Sequence, residues 1–192
     1  PEHIKMQIGS GQLARLIGLP WRSAAGSAGN TADVQAATEN IMGVWGALMA
    51  NATLTIHSAG WLEGGLTFGY EKFILDIEAL QTIAELCTRP DDSVAGMGYD
   101  AIAEVPPGGH FFATQHTMER YDRAFYAPLV ADLSNFGTWT ENGALTATER
   151  ATGIWQRALA EFRPHAQSGE VAERLAPFIE RRTSQGGAAP SD

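Results

Sequence analysis

The chain has 192 residues, 13 basic against 22 acidic side chains for a formal net charge of −9, and a single cysteine. Scattered basic residues in an acidic chain argue against a nucleic-acid partner, and one cysteine excludes an intrachain disulfide or a thiolate metal cage. No apolar run approaches the roughly 18 residues of a membrane span, and no charged, apolar, small-residue signal pattern opens the chain, so a cytoplasmic protein with no membrane contact is expected.

Gln12 to Ile17 reads as the end of a helix that stops at Gly18, with Pro20 following. Trp21 to Ala25 is a short strand, and the small residues of Gly26 to Asn30 form a loop. From Asp33 to Ala50, Val34, Ile41, Val44, Trp45 and Leu48 recur at helical spacing, with Thr31 or Asp33 able to cap the start. Leu54 to Ser58 is a second strand, in which His57 alternates with Ile56 and reads as an inward-facing residue. A turn through Gly60, Gly64 and Gly65 leads to a helix that starts near Phe68 and carries Phe73, Ile77, Leu80, Ala84 and Cys87 on one face. That phase makes Cys87 a core thiol, and Arg89-Pro90-Asp91 ends the helix.

Ala101 to Val105 reads as a third strand, followed by the turn Pro106 to His110 and by a helix from about Thr117 that carries Met118, Tyr121 and Phe125. Thr146 and Glu149 make a capping box for a helix holding Ile154, Trp155, Ala158, Leu159 and Phe162. A last helix is expected over Glu170 to Arg182, and a disordered tail over Ser184 to Asp192.

Strands alternating with helices predict an α/β fold with a parallel sheet, whose ligands lie at the C-terminal ends of the strands. That rule selects the loops Gly26 to Asp33, Ser58 to Glu71 and Pro106 to His116. The second crowds His57, Trp61, Glu63, Thr67, Tyr70 and Glu71 around three glycines, more chemistry than a connection needs. Glu71 falls in the first turn of its helix, where the dipole stabilises an acid whatever the function. Other chemistries fit less well. His57, His110 and Glu63 could be grouped as zinc ligands, yet they lie on separate segments without metalloprotease spacing. Ser58 has no nucleophile elbow, and Gly96 to Gly98 opens no nucleotide fingerprint.

Three stretches resemble the trimethylamine methyltransferase family. They are Asp33-x-Gln35-Ala36 in the first loop and helix start, WLE-x-GLT-x-x-YEKF-x-x-D-x-E from Trp61 to Glu78, and EV-x-PGGHF-x-x-T-x-HT from Glu104 to Thr117. The resemblance runs from Gly18 to Thr117. It implies the C-terminal part of a TIM (β/α)8 barrel with extra C-terminal helices: residues 1–128 as barrel, 129–183 as a helical extension and 184–192 as the tail. A complete barrel needs about 250 residues, so a partial one is expected to self-associate as a homo-oligomer or to pair with the missing portion.

The resemblance also implies transfer of a methyl group from a methylamine or quaternary amine to a cognate corrinoid protein, with cobalamin as the cofactor on that partner and no metal bound directly. Founding members orient the methylamine with pyrrolysine; Gly26 or Ser27 stands near that position here and can form no such adduct. A quaternary amine such as glycine betaine needs none, because demethylation releases a neutral tertiary amine. Such a cation is held by aromatic faces and nearby negative charge, which suggests Trp61, Tyr70, Phe68 and Trp21 as substrate-binding residues, Glu63 as counter-charge, and His110 as a contact to the substrate carboxylate or the corrinoid edge. The competing reading is a non-catalytic binding or assembly module whose aromatic cluster takes a cationic metabolite or a protein partner.

Overall fold

A computed structural model describes residues 1–187. The chain forms two compact units, Pro1–Trp155 and Gln156–Asp192. The first is built on one β-α-β crossover. Strand β1 (Arg22–Ala24) leads through helix α2 (Val34–Met49) to β2 (Leu54–Ile56), and the two strands pair in parallel with Arg22 opposite Leu54 and Ala24 opposite Ile56. A parallel pair needs such a crossover, because its strands run the same way. Asp33 caps α2 by accepting from the Gln35 and Ala36 N–H groups at 2.9 and 3.3 Å, and Thr31 supports it by donating to the Asp33 carboxylate.

Helix α1 (Glu2–Leu16) lies against α2 through small residues. A Cβ on Gly11 would stand 2.2 Å from the Ala50 carbonyl oxygen, and one on Gly46 would stand 2.2 Å from Gln7 Oε1, so the helices approach at backbone distance. After β2 comes a tight hairpin, β3 (Trp61–Leu62) and β4 (Thr67–Phe68), antiparallel around a single 3-10 turn at Glu63–Gly65. Helix α3 (Tyr70–Leu86) starts after Gly69 and packs on α2. Two buried clusters hold the unit. Ala25, Val44 and Ile83 join α2 and α3 to the end of β1. Ile74, Val130 and Ala151 bring the later chain onto the other side of α3.

Four short or capped helices follow: α4 (Tyr99–Glu104), α5 (Gln115–Met118), α6 (Phe136–Glu141) and α7 (Ala147–Glu161). The capping box forms as expected, with Glu149 accepting from the Thr146 N–H at 2.7 Å and Thr146 Oγ1 from the Glu149 N–H at 3.3 Å. In the second unit, α8 (Ser168–Ser184) includes the expected last helix, and Arg181 covers the Phe178 ring at 5.5 Å. Of the expected disordered tail, Ser184 is the last residue of α8, and 188–192 lie outside the described residues.

The fold is mixed, mostly helical with few strands, and the described residues show no closed barrel. Three expectations are corrected. Ala101 to Val105 is not a strand: Gly98, in left-handed backbone at φ 67, starts α4 there, and only Ala101 is buried, without the alternation of a strand. The helix from Thr117 to Phe125 shrinks to the one turn of α5, because Met118, Tyr121 and Phe125 are 57%, 64% and 83% exposed and give it no face to pack. Cys87 is exposed; it caps α3 where the helix has run past the core. Among the described residues, no helix is long and apolar enough to cross a membrane.

Candidate active site

The chain leaves β2 at Ile56 and at once enters strained backbone. His57 and Glu63 adopt left-handed φ of 58° and 52°, alongside Gly60 at 81°, Gly64 at 64° and Gly65 at 99°. Left-handed backbone costs a non-glycine residue about 1–2 kcal/mol, so the surroundings must hold these two in place. The hydrogen bonds that do so join the two loops at the C-terminal end of the parallel pair. Glu63 N–H donates to the Gly29 carbonyl and Gly64 N–H to the Ser27 carbonyl, each at 3.0 Å. Glu63 then turns its carboxylate to Thr67, accepting from Oγ1 at 2.9 Å across the hairpin.

Trp61 is the centre of this junction. Its half-buried indole stands against two glycines: a Cβ on Gly26 would lie 2.8 Å from Trp61 Cγ, and one on Gly65 would lie 2.3 Å from Cζ2. The His57 ring is 4.2 Å away at 60°. Hairpin register places Phe68 opposite Trp61, and Phe68 packs over Gly60, where a Cβ would meet its Cε2 at 2.2 Å. From Phe68 an aromatic row continues. Phe73 lies 5.5 Å away, Tyr70 meets Phe68 edge-on at 5.8 Å, and Tyr70 stacks on Trp155 at 5.0 Å. Phe68 and Tyr70 remain more than half exposed, so the row opens to solvent.

The loop after β1 is tied from α2. Half-buried Glu39 accepts from Ser27 Oγ and Ala28 N–H, both at 2.8 Å, and from Gln35 Nε2 at 3.0 Å. The Gln35 bond foremost, then that from Ser27, holds its carboxyl below the usual glutamate value. Ser27 is buried, and its Oγ also accepts from Gly29 N–H at 2.8 Å. Its side chain is therefore committed to the loop, while Gly26 faces Trp61.

Beneath the turn lies a buried ionic cluster. Lys72 and Asp76, on one face of α3, are 2% and 3% exposed and form an ion pair. The second Asp76 oxygen accepts from Gly60 N–H at 2.9 Å. Asn40 on α2, 1% exposed, donates to the Ser58 carbonyl at 3.0 Å. Burial pushes the Asp76 carboxyl up, opposed by its bonds to Lys72 and Gly60.

Glu71 works elsewhere. It accepts from Trp155 Nε1 at 2.7 Å and Thr152 Oγ1 at 2.9 Å, fastening α7 to the start of α3, and the Trp155 bond leads in holding its carboxyl down.

Of the residues selected from sequence, Trp61 meets Gly26 and lies opposite Phe68 in the hairpin register, Tyr70 meets Phe68, Glu63 turns to Thr67 and Ser27 to Glu39; among the described residues no ring contact joins Trp61 to Phe68 or Tyr70. Trp21 precedes β1, bonded to Thr53 at the strand end opposite Gly26. His110 is exposed, its ring 5.2 Å from Phe112, and no hydrogen bond or ring contact among the described residues links it to Trp61. His57, read from sequence as an inward-facing strand residue, is exposed beyond the strand end. Sequence reasoning missed Lys72, Asp76, Asn40 and Glu39. At i and i+4 on a helix, a lysine and an aspartate read as an ordinary exposed pair, so nothing in the spacing marked them as buried. Among the described residues, no three His, Cys, Asp or Glu side chains are grouped to hold a metal ion.

Loops joined at the C-terminal end of parallel strands, here with Glu63, Phe68 and Tyr70 exposed on the second, are where α/β folds bind small ligands. Comparison with known proteins narrows that class: the family model for trimethylamine methyltransferase matches residues 1–187, and the chain belongs to that family. It is 35% identical over 188 residues to glycine betaine methyltransferase of Desulfitobacterium hafniense strain Y51, covering 97% of this chain and 39% of that protein. It is 27% identical to a trimethylamine methyltransferase, MttB, of a second strain of that species over 100% of this chain and 38% of the relative. It is 28% identical to MttB2 of Methanosarcina mazei over 74% and 30%. The chain thus spans less than two-fifths of the length of these relatives.

Proposed function

We propose that this chain is the C-terminal part of a TIM-barrel methyltransferase that moves a methyl group from a quaternary amine of betaine type to a cognate corrinoid protein. The observation that carries the reading is the contact of Trp61 with Gly26. By the family resemblance a pyrrolysine would stand near Gly26 or Ser27; any side chain on Gly26 would enter the Trp61 ring, and the Ser27 hydroxyl is held by Glu39. The space is used by an indole, which favours direct recognition of a methylated cation over a covalent adduct. The relative named glycine betaine methyltransferase supports the same substrate class.

In this reading Trp61, Phe68 and Tyr70 present rings to the trimethylammonium group, each worth about 0.5–2 kcal/mol depending on desolvation, and Glu63 supplies the counter-charge. His110, on the turn after α4 and apart from the Trp61 cluster here, is assigned to the substrate carboxylate or the corrinoid edge by the family resemblance alone. Trp21 is left out of the box, since it lies at the opposite end of β1 from Gly26. The bond pair of the broken C–N bond stays on nitrogen as a neutral tertiary amine leaves, so no residue need deliver a proton. The corrinoid, carried by its own protein, supplies a cobalt(I) nucleophile for the methyl carbon. The open aromatic row suits that arrangement, since a cofactor mounted on another protein needs an accessible mouth. Residues 1–128 as barrel and 129–183 as extension, a cytoplasmic location and a homo-oligomer complete the proposal.

Calorimetric titration of the full-length protein tests the recognition step. Glycine betaine is expected to bind at least tenfold more tightly than dimethylglycine, and Trp61→Ala to remove that preference. Equal binding of both amines, or an unchanged Trp61→Ala protein, overturns the reading.

A further inference from the structure

The buried Lys72–Asp76 pair calls for an explanation beyond stability. Two charges taken out of water recover their desolvation cost only with excellent geometry, and apolar residues of similar size often serve a core as well or better. What apolar residues cannot do is accept a hydrogen bond. Asp76 gives one oxygen to Lys72 and the other to Gly60 N–H at 2.9 Å. The Gly60 carbonyl is also engaged, accepting from Gly69 N–H at 3.0 Å. Both backbone groups of the residue immediately before Trp61 are therefore fixed. Two residues earlier, Asn40 holds the Ser58 carbonyl at 3.0 Å. Side chains from two helices thus grip the chain at 58 and 60, between His57 and Trp61, whose rings stand 4.2 Å apart.

We infer that Asp76 and Asn40 are positioning residues, which clamp Ser58 and Gly60 so that the Trp61 ring is aimed between Gly26 and Gly65, with Lys72 pairing the other Asp76 oxygen. Asp76 is buried beneath the turn and acts through Gly60. Without the clamp, Gly60 is free to leave its left-handed backbone, and the Trp61 ring swings with it. The substrate consequence rests on the proposed function; the effect on Trp61 does not.

The test uses full-length protein labelled with 5-fluorotryptophan, with the Trp61 fluorine resonance assigned by its loss in Trp61→Phe. Two double variants remove the buried charges together. Lys72→Met with Asp76→Asn keeps a neutral oxygen for Gly60 N–H, whereas Lys72→Met with Asp76→Leu has none. The Asn double variant is expected to keep the Trp61 resonance in place and betaine affinity within about threefold. The Leu double variant, and independently the uncharged Asn40→Leu, are expected to shift or broaden the Trp61 resonance while the other tryptophans hold, with affinity falling at least tenfold. A merely structural pair predicts that the two double variants behave alike. The inference is overturned if they do, or if Asn40→Leu leaves the Trp61 resonance where it is. If Trp61 responds as expected but wild-type protein binds no methylated amine, the clamp stands and the functional reading falls.

Discussion

Replacing Gly60 with alanine puts two separable costs on the turn, and Gly64 provides the control for one of them. Both glycines have left-handed backbone, at φ 81° and 64°, so alanine at either pays about 1–2 kcal/mol of backbone strain. At Gly64 nothing lies within 4 Å of the added Cβ, whereas at Gly60 it would stand 2.2 Å from Phe68 Cε2 and 2.7 Å from Cδ2. Phe68 must move, and overpacking of this kind costs about 1–3 kcal/mol more. Gly60→Ala is therefore expected to destabilise by about 2–5 kcal/mol and Gly64→Ala by about 1–2 kcal/mol, read as the shift in denaturant midpoint at constant slope. Adding Phe68→Ala should lower the cost of Gly60→Ala but not that of Gly64→Ala, a coupling that a double-mutant cycle measures directly. Equal costs at the two glycines, or no coupling to Phe68, would refute the packing of Phe68 over Gly60 and with it this account of the hairpin.

Gly26→Ala should force the Trp61 indole outward, since its Cβ would lie 2.8 Å from Cγ; the expected readout is a red-shifted Trp61 emission that Trp61→Phe abolishes. Trp155→Phe keeps the ring under Tyr70 but removes the bond to Glu71. A loss of about 1.5 kcal/mol, the lower end for a hydrogen bond to a charged group, should appear in chemical denaturation, and Glu71→Gln should account for most of it. The lowered Glu39 carboxyl fixes the sign of a pH effect. Its contribution is present above the ordinary glutamate value of about 4.3 and is lost as pH falls through the lower folded value. Wild-type thermal stability should then drop more steeply than that of Glu39→Gln in that acid window, and parallel curves would count against the Glu39 tie to the 26–30 loop.

The crossover of β1, α2 and β2 was legible because each element carries its own signal: Asp33 at the cap, apolar spacing from Val34 to Leu48, and a short strand on either side. The Thr146–Glu149 box and α8 were legible for the same reason. Ala101 to Val105 misled because a five-residue, mostly apolar run is too short for its period to tell a strand from a helix. The Trp61 turn could be located from its glycines, but the support beneath it could not. Lys72 and Asp76 look like a solvent-facing pair until the fold buries them, and Asn40 is read as one more polar residue on an amphipathic helix. Trp21 and His110 were chosen for residue type and for lying in or beside a selected loop, and neither property says at which end of a strand, or beside which ring, a side chain will lie.

The central claim is that Trp61 and its neighbours belong to an enzyme that demethylates a quaternary amine. Its most direct test is the rate at which full-length protein, supplied with cob(I)alamin and glycine betaine, turns over the cobalamin absorption while releasing dimethylglycine. The account predicts stoichiometric release, with Trp61→Ala slowed at least tenfold. No release from any betaine in a panel, with the protein folded and the cob(I)alamin intact, would contradict it and favour a module that binds without catalysis.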